Sequence, residues 1–299
     1  MDFLDTLFSK RQISDSTKAL YARNLKSLND GNPVNNLNFL KDPAQIEAKI
    51  KHLKPTTQRS YYIAICSILK VDDQHTKLYN IYFDKLQSMN SSLKVNTTKS
   101  ASQKENWVSS EKITEIYNEL KANVPKKIKT KQDYDHLLNY TLLSLYFLQA
   151  PRRNNDYALM KIASDVQNKK FNYLDWNARN FVFNNYKTAK TYKEYVVPIN
   201  DELQEVISLY LSNHPNKSKF KNKKHDVFFL VDKMGQPYNK SNQITKLLNK
   251  IFSGNVGVSM LRNVYLTTKY GKTMKELDED VKAMSTSQSV ALDNYIKKD

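Results

Sequence analysis

The chain has 299 residues, with 47 Lys+Arg against 30 Asp+Glu, a net charge of +17 and a pI near 9.5; that length holds two ordinary domains, and so large a positive surplus favours a polyphosphate partner whose counterions it would release. One cysteine, Cys66, excludes an internal disulfide, and five scattered histidines without HxxxH or CxxC company argue against a metal site, so no metal and no cofactor are expected. No apolar run approaches the roughly 20 residues that cross a bilayer, and Met1 to Asp5 is acidic where a secretory signal is basic. A soluble intracellular protein with no membrane partner is expected.

Residues 1–90 read as a small helical domain. Ser14-Asp15-Ser16-Thr17 offers N-cap oxygens to a helix with Leu20, Tyr21, Asn24, Leu25 and Leu28 at three- and four-residue spacing, ended by Asp30-Gly31-Asn32-Pro33. Ile46 and Ile50 mark a second helix after Asp42-Pro43. Lys54-Pro55-Thr56-Thr57 opens a third carrying Tyr61, Tyr62, Ile65, Ile68 and Leu69, in which Cys66 is a small buried residue, and a fourth runs around Leu78 to Met89. Residues 91–106 have almost nothing to bury and read as a linker.

The second domain, residues 107–299, opens at Trp107, where Ser109-Ser110-Glu111 precedes a helix with Ile113, Ile116, Tyr117 and Leu120. Leu137 to Leu148 is apolar on nearly every face, the pattern of a central buried helix. Phe171 to Trp176, Phe181 to Tyr186 and Glu194 to Ile199, separated by polar turns, predict a three-stranded antiparallel sheet. Helices resume near Glu202 to Ser212. A charged loop with Lys217, Lys219, Lys221, Lys223 and Lys224 follows, then apolar Val227 to Val231, then helices near Ser241 to Phe252, Val258 to Tyr270, Thr273 to Met284 and Ser289 to Ile296. The fold class expected is mainly α with a small antiparallel β-sheet, α+β.

Only seven residues are arginine, in a chain that otherwise uses lysine, so arginine is kept for places that need a planar, always-charged fork, above all on a phosphate. Arg152 and Arg153 are adjacent, directly after the buried helix, and Asp156 stands where it could orient one of them. Arg262 follows Ser259 by three residues, so guanidinium and hydroxyl share one side of a helix. Tyr186 to Lys193 carries three lysines at a hairpin tip, and Tyr295 lies near the end of the sequence. None of these signals is specific alone, since turn lysines, exposed helix arginines and packing tyrosines are common.

Their order is what resembles the tyrosine recombinase (phage integrase) superfamily over about residues 107 to 297, with the helical N-terminal region similar to that family's core-binding domain. Set against the family's TGLRxxEL, Ala150 to Tyr157 implies Arg153 as the first catalytic arginine, with Arg152 as the alternative and Asp156 in the acidic place. The family's TKTxK hairpin looks like Tyr186 to Lys190, implying Lys187 as the catalytic lysine. Its HxLRH box corresponds to Ser259 to Asn263, implying Arg262, and its tail corresponds to Met284 onward, implying Tyr295 as nucleophile. Two positions depart from the pattern: Ser259 stands where the family usually has histidine, and Thr286 where it has histidine or tryptophan. A hydroxyl at either place still donates a hydrogen bond but trades no proton as imidazole does.

The resemblance implies metal-free cutting and rejoining of double-stranded DNA through a 3′-phosphotyrosine, by a homotetramer assembled on DNA. Two other readings stay open: a type IB topoisomerase-like enzyme acting alone, and a DNA-binding protein of the same fold impaired in catalysis by the changes at Ser259 and Thr286.

Overall fold

The computed structural model describes residues 3–71, 73–93, 99–163, 168–221 and 227–296, and the chain divides into two units, Met1–Thr98 and Lys99–Asp299. The division falls inside the expected linker. No helix among the described residues is long and apolar enough to cross a membrane.

Unit 1 is helical: α1 Phe3–Ser9, α2 Asp15–Leu28, α3 Pro43–Ile50, α4 Pro55–Leu69 and α5 Thr76–Ser92. The expected Ser14 cap is present, while α4, expected to be capped by Lys54 to Thr57, has no side-chain cap. Ser14 Oγ accepts from Thr17 N at 3.3 Å, Asp42 Oδ1 accepts from Ala44 N and Gln45 N, and Pro55 occupies the first turn of α4, where its missing N–H leaves no bond unmade. Gly31, at φ +80°, turns the chain beyond α2 while its N–H donates to Lys26 O at 2.9 Å. Leu25, Leu28, Ile46, Ile65, Ile68 and Tyr82 form the core, and burial pushes the Cys66 thiol up to about 11. Leu20, expected on the packed face, is exposed, whereas Asn24 one turn on is buried and donates to Ser60 O and Oγ. Helix α1 escaped the sequence reading although Leu4, Leu7 and Phe8 have the right spacing and are buried.

The expected linker is not wholly irregular. Residues 94–98 lie outside the described residues, but Ala101–Glu105 forms a short helix, α6. Its cause is local: Ser100 Oγ accepts from Gln103 N at 3.2 Å and Gln103 Oε1 accepts from Ser100 N at 2.9 Å, a reciprocal cap that needs no buried face.

Unit 2 is built around α8, Lys131–Phe147, whose residues from Leu137 to Tyr146 are buried except Asn139. Its buried hydroxyls are satisfied internally, Thr141 donating to Leu137 O and Ser144 to Tyr140 O. Helices α7 (Ser110–Ala122) and α11 (Asp201–Ser212) pack on it. Beyond α9 (Asn154–Tyr157), the strands are β1 Lys161–Ala163, β2 Tyr173–Asp175, β3 Asn180–Phe183, β4 Tyr195–Pro198 and β5 Val227–Phe228, in spatial order β4-β3-β2-β1-β5. The three expected strands are present and antiparallel, but the sheet is mixed and five-stranded, because β1 pairs parallel to β2 and antiparallel to β5. Both extra strands are too short to show an alternating pattern.

The β3–β4 connection carries a helical turn, α10 Ala189–Tyr192, closed by Lys193 at φ 54° and by Tyr186 Oη donating to Lys193 O at 2.7 Å. Lys217–Lys221, expected in a loop, forms helix α12; Lys223 and Lys224 lie outside the described residues. After α13 (Ser241–Ile251), the two helices expected over 258–270 and 273–284 are one, α14 Val258–Ala283, which runs through Gly271. Its first turns bury Met260, Leu261 and Val264, and no residue from Tyr265 to Asp280 is buried. Ser285, at φ 55°, reverses the chain so that α15 (Gln288–Val290) returns along α14, with Gln288 Nε2 donating to Met274 O at 3.1 Å. The chain then closes in a π-helical turn, Ala291–Tyr295.

Candidate functional site

Pro151 follows the end of α8, removes a backbone donor and turns the chain, so the two arginines leave a rigid helix on a short segment. The segment is pinned beyond them. Asn154 Oδ1 accepts from Tyr146 Oη at 2.7 Å, and Asn154 Nδ2 donates to Ser241 O and Thr245 Oγ1, tying α9 to α8 and α13. Asn172 Nδ2 donates to Asp156 O at 2.8 Å and to Asn185 O at 2.9 Å, which adds the sheet to the same frame.

On that frame Arg152, Arg153 and Arg262 line one cavity of about 460 Å³, together with Asp156, Gln149, Tyr186, Thr188, Tyr192 and Tyr195. Asp156, 2 % exposed, accepts through Oδ2 from Arg152 Nε at 2.9 Å, while its Oδ1 has no partner among the described residues. The sequence leaves open which of the two arginines this carboxylate orients. It pairs with Arg152, four residues before it, while Arg153 is the N-cap residue of α9. Arg152 is further held by aromatic faces, its guanidinium lying 3.7 Å from the Phe183 ring centre, 5.1 Å from Tyr186 and 5.6 Å from Tyr195.

The electrostatics are unbalanced. Three guanidiniums line a cavity with one carboxylate, which pairs with Arg152, and neither Arg153 nor Arg262 has an ion-pair partner among the described residues. Burial, and after it the neighbouring Arg153 cation, holds Arg262 below the ordinary guanidinium value, with Asp156 pulling the other way. Burial raises Asp156 above the usual carboxylate range against the pull of Arg152. A bound anion would offset both the cationic repulsion and the desolvation, and a planar fork suits an oxygen-rich one.

Of the residues singled out in the sequence, Arg153 and Arg262 come together, with Arg152 beside them, although they lie on segments far apart in the chain. Lys187 is exposed at the hairpin tip, between cavity residues Tyr186 and Thr188 but not itself in the wall. Ser259 is exposed on the first turn of α14, and Thr286 is half-buried, its N–H donating to Val281 O at 2.8 Å; neither lines the cavity. Tyr295 is 60 % exposed in the π-helical turn and also lies outside the wall. Sequence reading missed Tyr192 and Tyr195, which carry no motif and reach the cavity only through the β3–β4 register and the turn of α10. Searches of protein-family models and of curated proteins find no match to this chain.

Proposed function

We propose that this protein cuts and rejoins double-stranded DNA through a tyrosine–phosphate bond, as a site-specific recombinase working as a tetramer on its DNA. The observation that carries the reading is the cavity lined by Arg152, Arg153 and Arg262 with one carboxylate, Asp156, paired to Arg152, a site short of negative charge. The net charge of +17 supports a polyanionic partner for the rest of the surface.

In this reading Arg153 and Arg262 hold the non-bridging oxygens of the scissile phosphate, where charge builds as the phosphorus is attacked. Tyr295 Oη gives its proton to solvent water and forms the new O–P bond, the bond to the 5′-oxygen breaks, and Lys187 gives that oxygen its proton. The phosphodiester energy is kept in the tyrosine ester, so attack by a 5′-hydroxyl reverses the step. Ser259 and Thr286 contribute hydroxyl donors only. Lys187 and Tyr295 lie outside the cavity wall, so both must close on the phosphate when DNA is bound.

That separation also favours a second reading, a DNA-binding protein that holds a phosphate on its arginines without cutting. Nicked duplex DNA distinguishes the two. Covalent attachment that survives denaturant and is absent in Arg262→Ala supports the enzyme; salt-sensitive binding without attachment supports the second reading.

A further inference from the structure

The arginine cavity is larger and more aromatic than a phosphate needs. Its volume, about 460 Å³, lies in the range that takes small organic ligands, of which a phosphate group fills only part. The rest of the wall includes Tyr186, Tyr192 and Tyr195. Tyr186 is committed to the fold, since its hydroxyl closes the α10 turn on Lys193 O and its ring lies against Arg152. The other two are open to a ligand: Tyr192 is 67 % exposed and Tyr195 is 52 % exposed. The Tyr192 side chain has no hydrogen bond and no ring contact among the described residues, and the Tyr195 side chain has, among them, a ring contact with the Arg152 cation at 5.6 Å and no hydrogen bond. Two exposed rings at the mouth of a cationic pocket are what a flat, electron-rich group next to a phosphate would stack on.

We propose that Tyr192 and Tyr195 take an unstacked nucleobase beside the arginine clamp, so that the cavity binds one nucleotide unit of a DNA strand, its phosphate on Arg153 and Arg262 and its base on the tyrosines. This rests on the phosphate reading given above. A base inside a duplex is already stacked and paired, so the pocket favours DNA in which that base is free. The ring face does the work, not the phenol oxygen, and any base can supply it.

The test uses the whole protein and three labelled duplexes with the same number of phosphates: fully paired, with a central run of mismatched thymines, and with that run abasic. Mismatched DNA should bind about tenfold more tightly than paired DNA, and the abasic duplex should lose that advantage. Tyr192→Ala with Tyr195→Ala should bind all three alike, and Tyr192→Phe with Tyr195→Phe should keep the preference. Equal binding of paired and mismatched DNA by the wild type, with affinity that still falls in Arg153→Ala, overturns the base pocket and leaves the phosphate reading standing. Abasic DNA bound as tightly as mismatched DNA overturns it too, because flexibility alone would then explain the preference. Displacement of all three duplexes by micromolar thymidine monophosphate would make a free nucleotide the occupant and overturn the strand-borne one. DNA affinity unchanged in both Arg153→Ala and Arg262→Ala would remove the phosphate reading and this inference together.

Discussion

Asp156 gives the two adjacent arginines different work. Its carboxylate is buried and holds Arg152 Nε at 2.9 Å, so Arg152→Ala would leave a buried charge without its partner, at a cost of about 3 kcal/mol in unfolding by urea. Adding Asp156→Asn should recover part of that loss, since a neutral amide needs no counter-charge. Arg153 has no ion pair among the described residues, so Arg153→Ala should stay within about 0.5 kcal/mol of the parent while abolishing attachment to DNA. Equal destabilisation by the two alanine variants would contradict this division. The arginine pair and its acid were legible because Arg-Arg directly follows an apolar helix and an acid stands near. Which arginine the acid holds was not legible, because it depends on α9 starting at Asn154, a one-residue matter of phase. The stacking of Arg152 on Phe183, Tyr186 and Tyr195 was hidden for a similar reason: it is set by strand pairing across the sheet.

Single elements carry two further tests. Helix α14 runs unbroken through Gly271, where a sequence reading places a break because glycine is a poor helix former. A Cβ built at Gly271 meets nothing closer than Thr267 Cγ2 at 3.5 Å, an ordinary contact, so Gly271→Ala should stabilise by about 1 kcal/mol. No change in the thermal midpoint would mean that the helix is broken there. The connection after α11 holds a buried histidine, His214, whose Nε2 faces the carbonyl oxygens of Phe228 and Phe229 and whose Nδ1 accepts from Asn216 N at 3.1 Å. Nδ1 is thus committed as an acceptor, and burial lowers the group from its ordinary 6.5 to about 4. Between those values the unfolded chain binds a proton that the folded chain refuses, so stability is full above about pH 6.5 and falls as pH drops toward 4. The loss should reach about 3 kcal/mol, and His214→Gln should flatten that part of the pH profile. An unchanged profile would remove His214 as its source.

At the scale of the molecule, the two-unit division and the mainly helical α+β character follow from features that a sequence shows well: periodic apolar faces, caps and a polar stretch between them. Limited proteolysis should cut first between residues 91 and 100, before the cap that opens α6; cuts concentrated inside either unit would contradict the boundary. The sheet's two additional strands, β1 and β5, were not legible because neither carries an alternating pattern and both are held by their neighbours. If the surplus of positive charge lies along a phosphate backbone, log affinity for DNA should fall linearly with log salt, and Arg262→Ala should reduce that slope by about 1. A flat salt response would remove DNA as the partner. Whether Tyr295 forms a covalent bond to a DNA phosphate held by Arg153 and Arg262 is decided by incubating the protein with a pool of nicked duplexes, trapping adducts in denaturant and mapping the linked peptide. An adduct at Tyr295 is expected, and it should disappear in Tyr295→Phe while DNA affinity persists. An adduct at any other residue, or none with any nicked DNA, would contradict it.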